Sequence, residues 1–295
     1  MAGNNSTSAI FIRGIGQTDP TSSVDPGVGL YIDDVYMGQS IGGSMDFRDI
    51  ASVQVLRGPQ GTLFGKNTIG GAILLTTVEP GDEFGGNLRL GIGGDHLREV
   101  FAAVDVPISE TLRSRFTAGL RKQDGYVKRI LTGEDLGDTN SWTLTGKLVW
   151  TPTEKLMARI SADFTSEDEN GIPFVFAAAD ETQTFMRAAS AEAGCPGFNG
   201  VWNALPAVPM IRDLCCANDF MATGPYKNYG TTPLESKTEN WGVALHLQYA
   251  FSEAVTLKSI SSYRKLDWTG VRDADNTPLT ILVTDYDSSG EQLSQ

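Results

Sequence analysis

Closely spaced carboxylates are the residues in this chain that could form a catalytic pair or a metal site, and they occur in two places. Asp33 and Asp34 are neighbours in a predicted strand, where consecutive side chains point to opposite faces, so we expect strand-edge or loop acids rather than a catalytic pair. The run from Asp273 to Asn276 offers oxygen ligands but lacks the glycine and final glutamate of a calcium-binding EF-hand. The sequence therefore predicts no catalytic residues, no metal site and no cofactor.

The three cysteines, Cys195, Cys215 and Cys216, lie in one predicted loop. A zinc site usually needs four ligands at closer spacing, and the two histidines, His96 and His246, lie elsewhere. Without a histidine near any cysteine in sequence, nothing supports a catalytic thiol. We favour one disulfide, from Cys195 to Cys215 or Cys216, over free thiols.

A glycine-rich connection joins two predicted strands, residues 52–56 and 72–78. The P-loop pattern fails in it, because positions 60 and 67 hold Gln60 and Asn67 where glycine and serine or threonine are required. So many glycines predict tight bends with positive φ rather than a phosphate site. The connection contains Gly58, Pro59, Gly61, Gly65, Gly70 and Gly71.

Three segments together carry a family signature. They are FIRGIG (residues 11–16, with Gly14), DPGVGLYIDDVYMGQSIGG (residues 25–43) and VQVLRGPQGTLFGKNTIGGAI (residues 53–73). In this order they resemble the plug domain of TonB-dependent outer-membrane receptors of the siderophore-receptor type. The alternative is a generic glycine-rich turn in a soluble domain.

Composition sets further bounds. The chain has 295 residues, a net charge of −13, a pI near 4.6 and 40% hydrophobic residues. The sequence shows no cluster of Lys and Arg, which argues against a nucleic-acid partner. The sequence contains no run of about 20 apolar residues, so no transmembrane helix is predicted. The N-terminus lacks a charged region followed by an apolar region, so no signal peptide is predicted, and we expect an internal fragment of a longer protein.

From residue 83 the sequence changes to strands with period-two alternation. In the clearest one, Trp142, Leu144, Leu148 and Trp150 share a face. The other face contains Ser141, Thr143, Thr145 and Lys147. The facing of the seventh strand is not settled by its sequence, and the last residues suggest the start of an eighth. The seven predicted strands are 87–93, 99–106, 112–122, 140–150, 156–164, 241–251 and 254–268.

Alternation alone also fits a soluble sandwich, so three other features decide the interpretation. Trp142 and Trp150 lie eight residues apart, about 27 Å along a strand and about 21 Å along the normal of a tilted barrel wall. Short [ST]-E-x-[LV] turns recur at positions 109, 153 and 252. They alternate with long polar links at 123–138, 168–234 and 267–280, the longest with a predicted helix around 180–193. This arrangement is typical of outer-membrane barrels.

The resemblance implies a mainly β fold with two parts. Residues 1–80 correspond to a plug domain without its N-terminal part, a small mixed α/β sheet with a strand over 28–35 and a helical turn over 46–51. Residues 81–295 correspond to about seven antiparallel strands of an incomplete 22-stranded transmembrane β-barrel.

The resemblance also implies a function. It predicts no enzyme but a receptor in the outer membrane of a Gram-negative bacterium, in contact with lipid, which imports a scarce ligand, most often a ferric siderophore. The partner would be TonB, through a box that this chain does not contain. Arg13 and Arg57 match positions that lock plug to barrel through barrel glutamates. Plug-loop residues expected to face the ligand are Thr18, Asp19, Met37 and Gln39.

Three other interpretations stay open at this level. The receptor could import a vitamin or a glycan fragment, or it could sense a ligand and signal inward through an additional N-terminal domain. A soluble secreted β-rich binding module is the remaining alternative. It predicts that the chain folds alone without detergent.

Overall fold

A computed structural model describes residues 10–16, 25–38, 49–178, 221–278 and 282–295. Most of these residues form strands, arranged in four sheets, with a single short helix among them, α1 (Gly61–Phe64). The predicted helix around 180–193, the three cysteines, Thr18, Asp19 and Gln39 all lie outside the described residues.

The N-terminal strands form a two-stranded pair and a four-stranded unit, which we call the small sheet. The pair is β1 (Phe11–Ile12) with β2 (Ile15–Gly16). The small sheet has the order β4-β3-β6-β5 and is mixed, because β3 runs parallel to β6 while the other neighbours are antiparallel. Its strands are β3 (Val28–Ile32), β4 (Val35–Met37), β5 (Ile50–Arg57) and β6 (Gly71–Thr77).

Two local predictions for the small sheet are wrong. The single strand expected over 28–35 is a hairpin, because Asp33 (φ 46°) and Asp34 (φ 67°) both adopt the left-handed conformation of a two-residue turn. Aspartate tolerates this conformation better than most side chains. The helical turn expected over 46–51 is wrong at its end, because β5 already begins at Ile50, which pairs with Thr77 before a bulge at Ala51, while residues 46–48 lie outside the described residues.

The C-terminal strands form one eight-stranded antiparallel unit, the large sheet. Its order, β17-β16-β15-β13-β12-β9-β8-β7, follows the chain, and the sheet does not close. All seven predicted strands are confirmed, and β17 is the eighth. The strands are β7 (Gly85–Ile92), β8 (Arg98–Ser109), β9 (Leu112–Gln123), β12 (Thr139–Thr153), β13 (Leu156–Glu169), β15 (Glu235–Ser252), β16 (Val255–Asp273) and β17 (Val283–Ser294).

The two faces of the large sheet have the reverse polarity of a soluble sheet. Large apolar side chains are exposed, including Leu144 (49%) and Ile160 (51%), while Thr117 and Lys147 are buried (both 7%). A soluble sandwich buries its apolar face instead. An apolar outer face and a polar inner face are typical of a sheet that has lipid on one side.

The three [ST]-E-x-[LV] turns are confirmed as two-residue connections at one end of the large sheet. Each begins with a hydroxyl that accepts a main-chain N–H: Ser109 from Leu112 (3.1 Å), Thr153 from Leu156 (3.2 Å) and Ser252 from Ala254 (3.3 Å). A register shift precedes every turn. The serine or threonine of the motif therefore fixes the turn.

The long connections at the opposite end carry a three-stranded sheet of their own, in the order β11-β10-β14. It brings together β10 (Val127–Arg129) and β11 (Asp135–Leu136) from one connection and β14 (Lys227–Asn228) from the next. Among the described residues, no helix is both long and apolar enough to cross a membrane.

Candidate functional site

The small sheet packs against the polar face of the large sheet, and we call this contact the docking interface. A space of about 920 Å³ that is continuous with solvent lies at this contact. Both walls contribute charged groups, with carboxylates from the small sheet and its flanks and cations from the large sheet. The space is lined among others by Asp33, Asp49, Thr77, Arg115, Lys147 and Arg264.

Arg115 on β9 forms the first ionic contact of the docking interface. Its guanidinium binds both carboxylate oxygens of Asp49, at 2.9 Å each, and a third nitrogen lies 2.6 Å from Asp105 on β8. The Arg115 side chain is 8% exposed. A two-point contact of this kind fixes orientation as well as distance, so it sets how β5 begins against the large sheet.

Lys147 on β12 forms the second contact. Its ammonium lies 3.2 Å from the Asp33 carboxylate and 3.3 Å from Glu79, and it also donates to the hydroxyl of Thr77. Glu79 binds Arg159 on β13 at 2.6 Å. One buried cation thus joins the β3–β4 turn to the segment that leaves the small sheet.

Asp33 itself is held by the small sheet as well. Its carboxylate accepts from the Thr77 main-chain N–H (2.9 Å) and hydroxyl (2.6 Å). Burial would raise the pKa of the Asp33 carboxyl, but the Lys147 ammonium and the Thr77 hydrogen bonds outweigh burial and hold that pKa below its ordinary 3.8. Asp33 is therefore ionised at neutral pH.

Two further strands of the large sheet contact the same turn. Nε2 of buried His246 on β15 lies 2.6 Å from the main-chain oxygen of Asp33. A carbonyl oxygen only accepts, so Nε2 carries the proton. Lys258 on β16 lies 2.7 Å from the Asp34 carboxylate, but both of these side chains are half exposed. The turn thus meets three strands of the wall.

The sequence-predicted lock residues lie elsewhere. Arg13 and Arg57 are exposed, and neither forms an ion pair with another described residue. Their pairing with barrel glutamates stays a prediction. In the described part of the chain the ionic contacts of the docking interface have the opposite polarity, with acids on the small sheet and bases on the large sheet.

The predicted glycine-rich turn contains a positive φ angle and a close backbone approach, both of which favour glycine. Gly58 has φ 90°, and its N–H donates to the Gly70 oxygen at 3.0 Å. A Cβ on Gly71 would lie 2.1 Å from the Leu56 oxygen. Of the predicted ligand-facing residues, Met37 is buried (6%), and its contact with a ligand stays a prediction.

Sequence reasoning missed the residues that build the docking interface. Asp33 and Asp34 were expected only as loop or strand-edge acids, and Lys147 only as one polar residue of an alternating strand. A signal existed, because Lys147 is the one cation on a face otherwise made of Ser141, Thr143 and Thr145. The partner of that cation was not visible, since Asp33 precedes it by more than a hundred residues.

A second polar cluster, the outer cluster, joins the long connections. Arg129 is fully buried and lies 2.8 Å from Glu134 and 3.6 Å from buried Asp273. Asn228 donates to the Asn276 side chain at 2.8 Å. Three separate connections of the large sheet therefore meet in one buried cluster.

Comparison with known proteins agrees with the sequence signature. The family profile described as TonB-dependent Receptor Plug Domain matches residues 1–72. The pesticin receptor of Yersinia pestis is 34% identical over 143 residues, 48% of this chain and 21% of that protein. The vitamin B12 transporter BtuB of Vibrio vulnificus is 26% identical over 149 residues, 50% of this chain and 24% of that protein.

Solved structures share the fold. The ferric yersiniabactin uptake receptor FyuA from Yersinia pestis matches with a TM-score of 0.68 and 20% identity, covering 93% of this chain and 38% of that one. The pyoverdine receptor FpvA from Pseudomonas aeruginosa matches with a TM-score of 0.67 and 16% identity, covering 98% and 37%. The chain thus spans about a fifth to a quarter of these curated relatives and under two fifths of these solved chains.

Proposed function

Because this chain is part of a TonB-dependent receptor, with plug residues followed by strands of its barrel, we propose that it serves the uptake of a ferric siderophore across the outer membrane of a Gram-negative bacterium. The small sheet obstructs the polar side of a wall whose other side faces lipid. TonB, energised by the proton gradient, would displace it. The named relatives are receptors and transporters, which fits a protein without enzymatic activity.

The observation that carries the proposal is the polar character of the docking interface. Separating two apolar faces in water costs about 25 cal/mol per Å², with no compensation. Separating ion pairs and hydrogen bonds exchanges them for contacts with water, so the net cost is about 1 kcal/mol for a neutral hydrogen bond and about 1.5–3 kcal/mol for one to a charged group. An obstruction held by Arg115, Lys147 and Lys258 can therefore leave and return in a water-filled pore.

Import of a vitamin is the second candidate, supported by the similarity to a vitamin B12 transporter. The test is deletion of the gene in its host, followed by uptake of radioactive iron from hydroxamate, catecholate and phenolate chelates, and of labelled cobalamin. We expect loss of uptake from one ferric chelate, restored by the intact gene and abolished by a protonophore. Loss of cobalamin uptake alone would favour the vitamin. Unchanged uptake of every probe would contradict transport of these classes.

A further inference from the structure

The β3–β4 hairpin has an open edge that the small sheet does not fill. Among the described residues β4 is an edge strand that pairs with β3 alone, so its outer side presents main-chain groups with no strand partner in that part of the chain. Tyr31 and Tyr36 face each other one pair away from the turn, and alternation along an antiparallel ladder directs the main-chain groups of Tyr36 outward. Those groups need a partner from another element.

Gln292 on β17 supplies that partner with its side chain. Its Nε2 donates to the main-chain oxygen of Tyr36 at 2.6 Å, and its Oε1 accepts from the Gly38 N–H at 2.9 Å. The primary amide carries one donor group and one acceptor, as a peptide unit does. It thereby makes the two hydrogen bonds that a residue of a parallel strand would make opposite Met37.

Gly38 is shaped for this contact. A Cβ on Gly38 would lie 2.6 Å from Oε1 of Gln292, so the Gln292 amide would have to shift away from its hydrogen bond with the Gly38 N–H. Tyr36 is fixed from its other side too, because its hydroxyl accepts from the Asn67 amide at 2.8 Å. The amide of Gln292 therefore ties the glycine-rich turn and the end of β4 to one residue of the large sheet.

We propose that Gln292 is a positioning residue, which sets the register of the plug hairpin on the barrel wall. The proposal rests on the proposed function, since a plug that leaves and returns needs a contact that restores its position. The ion pairs at the turn, Lys147 with Asp33 and Lys258 with Asp34, attract over a distance and do not select one register of the hairpin. The amide pairs with main-chain groups at a single register, and it does so without charge, so salt does not weaken it.

The contact can be tested by amide hydrogen exchange in the intact receptor in detergent, with no ligand present. We expect the protection factor of the Gly38 amide to fall about fivefold in Gln292→Leu, the effect of one lost hydrogen bond. The Met37 amide, paired toward Leu30, serves as the internal reference. Gln54→Leu is the matched control, because Gln54 is exposed on β5.

Gln292→Glu separates pairing from packing. A protonated glutamic acid has the shape and the donor of glutamine, so protection at Gly38 should be near normal below the ordinary glutamate pKa of about 4.3. It should fall at pH 7, because the ionised carboxylate has no donor and faces the main-chain oxygen of Tyr36. Gln292→Leu should show no such pH dependence. Gly38→Ala should lower protection of the β4 edge alone, and adding it to Gln292→Leu should cost little more, because both remove the same contact.

Equal protection at Gly38 in wild type and both Gln292 variants would overturn the proposal, as would additive effects in the double variant. These readouts do not depend on transport. Failure of the uptake experiment with normal exchange results would therefore count against the proposed function and leave the role of Gln292 intact.

Discussion

The docking interface and the outer cluster both bury cations, but they satisfy them differently. Arg115 donates from three guanidinium nitrogens to two carboxylates, Asp49 across the interface at 2.9 Å and Asp105 within the large sheet at 2.6 Å. Arg129 in the outer cluster has Nε and Nη2 without a hydrogen-bond acceptor among the described residues, and Oδ2 of Asp273, 3.6 Å away, also lacks a donor there. The first arrangement pairs two separate units, while the second is closed inside the connections.

This difference indicates that the two regions have different mechanical roles. Contacts made between units, each with a complete partner set, can be exchanged for water and formed again. The buried pair in the outer cluster tolerates loss of its cation poorly, since Asp273 without Arg129 is an unpaired buried charge. We therefore expect the docking interface to be reversible and the outer cluster to be rigid, and the following changes test that contrast.

The largest effect is expected for Arg129→Met. It leaves Asp273 (2% exposed) buried without its cation and should cost about 3–5 kcal/mol of local stability. Hydrogen exchange of Lys128 and Ile130, whose amides bind the β14 side at 3.0 and 2.8 Å, measures it. Arg113→Met is the control, because Asp82 in that pair is 85% exposed and the cost should stay under about 1 kcal/mol. Equal effects of both changes would refute the rigid-cluster interpretation.

Lys147→Met should cost less, about 2–3 kcal/mol of docking, because Asp33 keeps its two hydrogen bonds from Thr77. A urea titration that is monitored by hydrogen-exchange protection of the Thr77 amide measures this loss of docking free energy. Adding Asp33→Asn to Lys147→Met should recover part of the loss, since no charge is then left unpaired. A double variant as weak as the sum of the two single variants would show that the pair is not coupled.

Gly230→Ala tests how tightly the outer cluster is packed. A Cβ there would lie 2.6 Å from Oδ2 of Asp273 and 2.9 Å from Nη2 of Arg129, so we expect a loss of about 1–3 kcal/mol in the same exchange measurement. Gly224→Ala is the matched control, because a Cβ at Gly224 meets nothing within 4 Å. If both variants behave alike, the cluster relaxes easily and is not rigid.

Acid should weaken the docking interface in a defined direction. The pKa of Asp33 is held below 3.8 in the docked state, so its contribution is complete above the unfolded pKa and is lost as pH falls through the docked pKa. Protection of the Thr77 amide should stay constant from pH 7 to about 4 and decline below it. Asp33→Asn should remove this decline, and its persistence in that variant would assign it to another group.

The smallest effect is expected for Lys258→Ala. Its pair with Asp34 is half exposed on both sides, at 52% and 55%, so we expect under about 1 kcal/mol and no measurable difference at about 1 M salt. Urea titration at low and high salt checks this. A loss as large as that of Lys147→Met would mean that exposure does not rank the contacts of the docking interface.

The sequence by itself determined the strands of the large sheet, their short turns and the family. Period-two alternation from Trp142 to Trp150 fixes which side chains share a face, and this is a local property of the extended chain. The turn hydroxyls Ser109, Thr153 and Ser252 act within three residues, so their motif was readable. The glycine turn and the plug signature were readable for the same reason.

Only the tertiary structure decided which face is covered and what covers it. Alternation does not determine whether the apolar or the polar face of the large sheet is covered. In the structure, the small sheet covers the polar face, which includes Lys147. The facing of β16 was undecidable from sequence, because polar residues such as Ser261 and Lys265 interrupt its outer face. The structure resolves it by burying Leu266 and Trp268. The β3–β4 turn was likewise not predictable, since the sequence pattern around Asp33 and Asp34 is that of a strand. Their positive φ angles appear only in the structure.

The contacts that position the plug lie furthest from any sequence signal. Asp33 meets His246 across 213 residues, and Tyr36 meets Gln292 across 256. A sequence states which groups are available, but their partners are chosen by the register of two sheets against each other. That register arises only when both sheets have formed and packed.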